Sequence, residues 1–265
     1  MDDDTRELLL VAVQAAEEAA RIQRFHVGGD LDVATKSNVS DLVTKVDRLC
    51  EERIRAIIGE RFPDHAVLGE ELGGPGGDAE YRWIVDPLDG TVNYAHGFPF
   101  YCVSIGLEVR GRLEVGVVLD SSRGELFTAV RGGGAFLNGA PIRVSAESDP
   151  ADSLLATGFS YDPGLKVQNS EVFTRVQPQV RAVRRPGAAA LDLCYVACGR
   201  LDGFWELTLN AWDVAAGVLL IEEAGGKVTS GDGSPYRLEE PVLVASNGPL
   251  HERLLTLLDL EGING

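Results

Sequence analysis

The stretch from Trp83 to Tyr94, WIVDPLDGTVNY, constrains this chain more than any other. Trp83, Ile84 and Val85 form a short apolar run of the kind that makes a buried strand. Asp86-Pro87 predicts the end of that strand, because proline withdraws a ladder donor and pushes the residue before it into extended backbone. Asp89 follows three residues after Asp86. Gly90 lets the backbone bend with no Cβ in the way, and Thr91 is placed to N-cap a short helix. Two carboxylates would then face one hollow beside free N–H groups. Carboxylate oxygens hold hard cations such as magnesium, and N–H groups at a helix start hold phosphate. Asp-Pro and Asp-Gly are also ordinary turn pairs, but here they follow a buried strand as one string.

Carboxylates recur at the ends of other apolar segments. A strand predicted over 66–68 runs into Gly69-Glu70-Glu71, and Trp212-Asp213 opens a helix over 214–223 that Gly225-Gly226 stops. Asp213 at a helix start also reads as a simple cap. If Glu70, Asp86, Asp89 and Asp213 converge, each pair at ~4 Å costs on the order of 4 kcal/mol at the effective dielectric of a protein surface. Either the four stay apart or two or more divalent ions sit among them.

The remaining chain reads as helices and strands in irregular alternation. Residues 5–26 carry Leu8, Val11, Ala12, Ala15, Ala19, Ile22 and Phe25 at helical spacing, ended by Gly28-Gly29-Asp30. A polar loop over 30–40 holds Lys36. A second helix opens at Asp41-Leu42-Val43-Thr44, where Thr44 and Asp47 have capping spacing. Strands are predicted over 102–109, 113–119, 125–130 and 142–144, with Asn138-Gly139 as a hairpin turn. Beyond residue 150, strands are predicted over 154–157, 180–183 and 242–245, and helices over 187–196 and 251–258. The glycine-rich segment 73–78 lacks the Lys-Ser/Thr of a phosphate-binding loop and reads as a connector, and Gly132-Gly133-Gly134 reads as turn chemistry. The pattern suits layered helices and mixed sheets within one unit spanning 1–265, with an N-terminal half over 1–149 and a C-terminal half over 150–265.

Charge and cysteine usage exclude several partners. With 265 residues, 45% of them hydrophobic, the chain has ample material for a core. A net charge of −17 argues against nucleic acid or an anionic membrane as the main partner, and an anionic substrate would need local neutralisation. The acidic start, Met1-Asp2-Asp3-Asp4, lacks the basic opening of a secretory signal. Cys50, Cys102, Cys194 and Cys198 show no disulfide framework, which points to the cytoplasm; Cys194 and Cys198, one helical turn apart, read as packing rather than metal ligands. His26, His65, His96 and His251 are scattered away from the motifs.

WIVDPLDGT at 83–91, Gly69-Glu70-Glu71 and WDVAAGVLLIEEAGG at 212–226 together resemble the inositol monophosphatase family, and the resemblance covers nearly the whole chain. It implies an α/β (α+β) fold, a layered α-β-α-β-α sandwich. It further implies a magnesium-dependent, lithium-sensitive phosphomonoesterase, homodimeric, with two or three Mg2+ ions per site. Carried over by position, Glu70 and Asp86 with the Leu88 carbonyl resemble the first metal's ligands, and Asp86, Asp89 and Asp213 those of the second, with Glu70 also supporting a third ion through water. Gly90 and Thr91 resemble phosphate donors through their backbone N–H groups. Thr91 with Asp47 resembles the pair that orients or deprotonates the attacking water, and Lys36 matches a mobile loop near the site. Glu206 resembles the residue that grips substrate hydroxyls, with Gly187, Ala188 and Ala189 as adjacent contacts. Ala188 departs from the family, which often has Ser or Thr there. The implied substrate is a small phosphorylated polyol, inositol 1-phosphate first. Fructose-1,6-bisphosphatase, histidinol-phosphatase and adenosine bisphosphate phosphatase activities share the chemistry. A second phosphate would need cations, for which Arg181, Arg184 and Arg185 are the candidates. A rival of another class is a non-catalytic interaction protein on the same fold.

Overall fold

The two N-terminal apolar stripes become helices where a side chain satisfies the exposed N–H groups at their starts. The computed structural model describes residues 2–29, 31–35, 42–75 and 79–260; Lys36 lies outside them. Helix α1 (Asp3–His26) begins at Asp2, whose carboxylate accepts from the Thr5 N–H at 2.7 Å. Strands β1 (Ala34–Thr35) and β2 (Leu42–Val43) pair antiparallel. Helix α2 (Lys45–Arg61) starts from a capping box in which Thr44 and Asp47 bond reciprocally.

A seven-stranded sheet follows, in the spatial order β3 (Ala66–Gly69), β4 (Tyr81–Asp89), β5 (Cys102–Val109), β6 (Arg112–Asp120), β7 (Glu125–Val130), β8 (Gly134–Leu137) and β9 (Ala140–Pro141). Among the described residues of this sheet only β3 and β4 run parallel. The short helix α3 (Thr91–Ala95) lies between β4 and β5. Asn138 and Gly139, with φ of 49° and 79°, make the β8–β9 turn that their sequence predicts. Residues 142–144 form no strand. The Ile142 N–H bonds to the Ala135 carbonyl and the Val144 N–H to that of Ala224, so this segment leaves the sheet to tie it to a later helix.

The second sheet has the order β11 (Ala182–Arg184), β10 (Leu154–Thr157), β12 (Gly203–Glu206), β14 (Leu243–Ser246) and β13 (Lys227–Thr229), with β10 parallel to both β11 and β12. Helices α4 (Pro163–Val176), α5 (Ala189–Ala197), α6 (Ala211–Glu223) and α7 (His251–Leu258) complete the chain. Strand alternation sorts neighbours to opposite faces and so builds the layers. Trp83 and Val85 pack with α1 and α2, while Ile84 between them packs with α5 and α6. On β12, Phe204 joins the α5–α6 core and Trp205 the core beneath α4 and α7. The result is α1 and α2, the first sheet, α5 and α6, the second sheet, then α4 and α7: the layered α-β-α-β-α sandwich. Among the described residues no helix is long and apolar enough to cross a membrane.

Candidate active site

The predicted strand end at Pro87 does not occur. Strand β4 continues through Pro87 to Asp89, and its register against β5 shifts between Asp86, opposite Ser104, and Asp89, opposite Cys102. Three steps on β4 thus match two on β5, which is a bulge, the place where a sheet tolerates proline. Residues three apart on a regular strand point to opposite faces. The bulge adds the residue that turns Asp86 and Asp89 toward the same face, the one covered by α5 and α6.

The other carboxylates arrive from neighbouring ends. Strand β3 pairs Gly69 with Val85, and the Glu70 N–H continues the ladder to the Val85 carbonyl at 3.2 Å. Asp213 sits in the first turn of α6, where it accepts from the Asn210 N–H at 2.6 Å in a capping box. It is therefore a cap and also a wall residue of the hollow. Glu206 ends β12, and Gly158 follows the adjacent parallel β10; a Cβ at 158 would overlap the Glu206 carboxylate. The C-terminal ends of parallel strands from both sheets and the N-termini of α5 and α6 thus surround one hollow of about 400 Å³.

Among the described residues seven carboxylates line that hollow: Glu70, Asp86, Asp89 and Asp213 with Asp162, Asp192 and Glu206. Among the described residues Arg185 is the only cation on its wall. Arg181 pairs instead with Asp152, and Arg184 is exposed away from the hollow. Burial first, then the charges of Glu70, Asp89 and Asp213, hold the Asp86 carboxyl well above the usual carboxylate range. Burial pushes Asp89 up to about 6 although the Ala190 N–H, bonded to its Oδ2 at 2.7 Å, opposes the shift. Burial and then the Asp213 charge push Glu206 to about 8, with Arg185 pulling the other way. The donor set, carboxylates with the Leu88 carbonyl beside them, is all hard oxygen, which fits a divalent cation such as magnesium. Among the described residues no three acidic, histidine or cysteine side chains are drawn close enough to grip an ion as they stand.

Thr91 is not the cap of its helix. Gly90 takes that place with φ of 89°, a conformation that suits glycine, and Thr91 is the first helical residue. Its hydroxyl lies 3.1 Å from Asp47 Oδ1 and 3.0 Å from the Leu88 carbonyl. Asp47 Oδ2 accepts from the Thr44 N–H at 2.9 Å and the Thr44 hydroxyl at 2.6 Å. The capping reading and the Thr91 pairing thus hold together, one on each oxygen. Burial raises the Asp47 carboxyl, and the bonds from Thr44 and Thr91 limit the rise. Gly187, Ala188 and Ala189 also line the hollow. Ala188 caps α5 with no side-chain bond, and Asp89 supplies the missing acceptor from another strand.

Several supporting residues escape a reading of the sequence. The buried Glu51 accepts from the Glu71 N–H at 2.7 Å and from Arg55 Nε at 2.8 Å, and Arg55 in turn bonds the Val67 and Gly73 carbonyls. Together they clamp the loop that carries Glu70. Asn93 Nδ2 bonds the Phe100 and Pro186 carbonyls at 2.8 and 2.9 Å and so ties α3 to the turn before α5. Of these contacts only the Glu51–Arg55 ion pair has a local signal in the sequence, a spacing of one helical turn. Among the described residues no histidine lines the hollow; the buried His251 bonds Thr229 and Ser246. Cys50, Cys102 and Cys194 are buried thiols and Cys198 is half-buried. A wider cleft of about 1120 Å³ lies elsewhere, and its Arg82, Arg110 and Arg131 are each paired with a glutamate.

Comparison with known proteins finds residues 4–261 matching the inositol monophosphatase family. The chain is 44% identical over 260 residues to Nus factor SuhB of Pseudomonas aeruginosa, covering 95% of each protein. It is 44% identical over 254 residues to the inositol-1-monophosphatase of Synechocystis sp., covering 95% of this chain and 88% of the other. Among solved structures, extragenic suppressor protein suhB from Bartonella henselae has a TM-score of 0.91 at 41% identity, covering 97% of this chain and all, 100%, of the other.

Proposed function

The chain belongs to the inositol monophosphatase family, and on that footing we propose that it is a metal-dependent phosphomonoesterase whose substrate is a phosphorylated polyol, inositol 1-phosphate first. One observation carries the reading: among the described residues seven carboxylates and a single guanidinium surround the hollow, so a phosphate dianion there needs cations to offset them. Glu70, Asp86, Asp89, Asp213 and the Leu88 carbonyl would hold two or three Mg2+ ions. Such ions neutralise phosphate oxygens, acidify a water and stabilise the departing alkoxide.

The protein's own groups do the rest. Thr91 donates its hydroxyl proton toward Asp47 Oδ1, which leaves a Thr91 oxygen lone pair to take a proton from the attacking water. Burial makes Asp47 a stronger acceptor than an exposed carboxylate. The backbone N–H groups of Gly90 and Thr91 face the phosphate. Glu206 accepts hydrogen bonds from hydroxyls of the alcohol, and Gly187, Ala188 and Ala189 close the same side. With no hydroxyl at Ala188, the alcohol is gripped mainly from the Glu206 wall.

The test is phosphate release from inositol 1-phosphate, fructose 1,6-bisphosphate, histidinol phosphate and 3′,5′-adenosine bisphosphate, with Mg2+ and with chelator. Release that needs Mg2+ and favours inositol 1-phosphate supports the reading; a preference for a bisphosphate would move the assignment to that ester. The name Nus factor SuhB, borne by a 44%-identical relative, favours a second reading in which the chain also serves as an interaction protein. A chain that binds partners but releases no phosphate from any of the four esters would leave that reading alone standing.

A further inference from the structure

The buried stripe of α1 runs from Leu8 to Ala20 through leucine, valine and alanine, and it ends on Gln23, its one polar member. Packing alone would place another apolar residue there. Instead Gln23 Nε2 donates to the Pro87 carbonyl at 2.8 Å and, at 3.5 Å, to the Cys102 carbonyl. Only the NH₂ end of a glutamine can face two carbonyls, which settles how the amide is turned. Its Oε1 accepts from the Ser121 hydroxyl, and the Gln23 backbone carbonyl accepts from the Tyr94 hydroxyl at 2.6 Å. One buried residue of α1 thus holds β4, β5, the residue after β6, and α3.

The grip falls on the bulge, where the ladder skips from Asp86 opposite Ser104 to Asp89 opposite Cys102. The Pro87 carbonyl and the Leu88 N–H belong to one rigid trans peptide, so they point in opposite directions. That N–H donates to Asp86 Oδ1 at 2.9 Å. Holding the carbonyl toward α1 therefore aims the N–H at the carboxylate on the other side. The bond fixes the rotation of the Asp86 carboxylate and leaves its second oxygen for a cation. We propose that Gln23 is a positioning residue for the metal centre: it locks the Pro87–Leu88 peptide, and through that peptide the Asp86 carboxylate, before any cation arrives. Groups that orient a ligand from behind set the affinity for the metal. The inference rests on the metal-dependent reading above and extends the site to a helix none of whose residues lines the hollow.

The test titrates the full metal-free chain with Mg2+ alone, by calorimetry, and follows thermal unfolding in parallel. Gln23→Met keeps nearly the same length and lacks the amide, so the Kd for Mg2+ should rise about tenfold, the size of one hydrogen bond. In phosphate release, the Mg2+ concentration at half-maximal rate should rise by the same factor, with kcat at saturating Mg2+ and KM for the ester little changed. Val11→Ala lies on the same stripe, about 18 Å back along the helix, and should lower Tm while leaving the Kd alone. Ser121→Ala keeps Gln23 but removes the hydroxyl that steadies its amide. It should raise the Kd about twofold, and it gives an answer even if the methionine variant folds poorly. A Gln23→Met chain that binds Mg2+ as the wild type does overturns the inference and leaves the metal reading in place. So does a Val11→Ala chain weakened as much as Gln23→Met, or, should Gln23→Met not fold, an unchanged Kd in Ser121→Ala. A wild type that binds no Mg2+ removes both.

Discussion

Asp86→Asn should make the metal-free protein more stable while removing its activity. Asp86 is 2% exposed, and burial, then Glu70, Asp89 and Asp213, raise its carboxyl well above the ordinary 3.8. The native state therefore binds a proton that the unfolded chain has released. Over the pH range in which that proton is held, the cost is at most about 1.4 kcal/mol per pH unit. Asparagine removes the charge and keeps the oxygen that accepts from the Leu88 N–H at 2.9 Å, but it adds an NH₂ group that needs a partner. Allowing for that group still leaves a net gain, read as a higher Tm of the metal-free protein, where each kcal/mol counts for roughly 2–4 °C. The sign with pH follows: metal-free wild type loses stability as pH rises from about 4 to 7, and the variant loses less. Added Mg2+ should invert the order, since binding at 100 times Kd stabilises by about 2.7 kcal/mol and the weaker amide ligand forfeits much of it. Phosphate release should drop by roughly a thousandfold or more, because bound metals supply several kcal/mol of the rate enhancement. Thermal unfolding with and without Mg2+, beside a phosphate-release assay, measures all of this. A variant that melts no higher than wild type without metal, or that turns over near normally with it, refutes the reasoning.

Thr91→Ala keeps the backbone N–H and removes only the hydroxyl, so kcat should fall roughly 10²–10⁴-fold with a smaller change in KM; a rise in KM alone would make Thr91 a ground-state binder. Glu206→Gln should lower kcat/KM for inositol 1-phosphate about tenfold or more and spare an aryl phosphate, as judged by paired kinetics. Equal losses on both esters would point to a disturbed metal centre. Burial lowers His251 to about 4, below the ordinary 6.5, so the unfolded state binds the extra proton. Its contribution, on the order of 2 kcal/mol after solvent screening, should be lost as pH falls from about 6.5 to 4. His251→Gln should flatten that part of a stability-against-pH curve, and an unchanged slope would contradict the assignment.

Much of this molecule is written in short windows of sequence. The stripe from Leu8 to Ala19, the Thr44–Asp47 cap, the Asn138-Gly139 turn and the helix over 251–258 each depend on residues within a few positions of one another. Local backbone preference and hydrophobic period suffice for such elements. The same holds for the apolar run at 83–85 and for the order of the acidic motifs.

What the sequence alone leaves open is which side chains meet. Read locally, Pro87 ends a strand; in the fold a bulge carries the strand past it and turns Asp86 and Asp89 to one face. Segment 142–144 has strand-like residues, yet its N–H groups go to Ala135 and Ala224, because α6 lies against the first sheet. Ala188 leaves α5 without a capping side chain, and Asp89 accepts instead from the Ala190 N–H, 101 positions away in sequence. Asp192 looks like the polar point of a short helix until α5 is sandwiched between the sheets and that point turns into the hollow. Local pattern decides where a helix or strand forms. Only packing of the layers decides where its polar residues point, since burial of the apolar faces fixes the rotation of every element, and with it the cluster of charge that the chemistry needs.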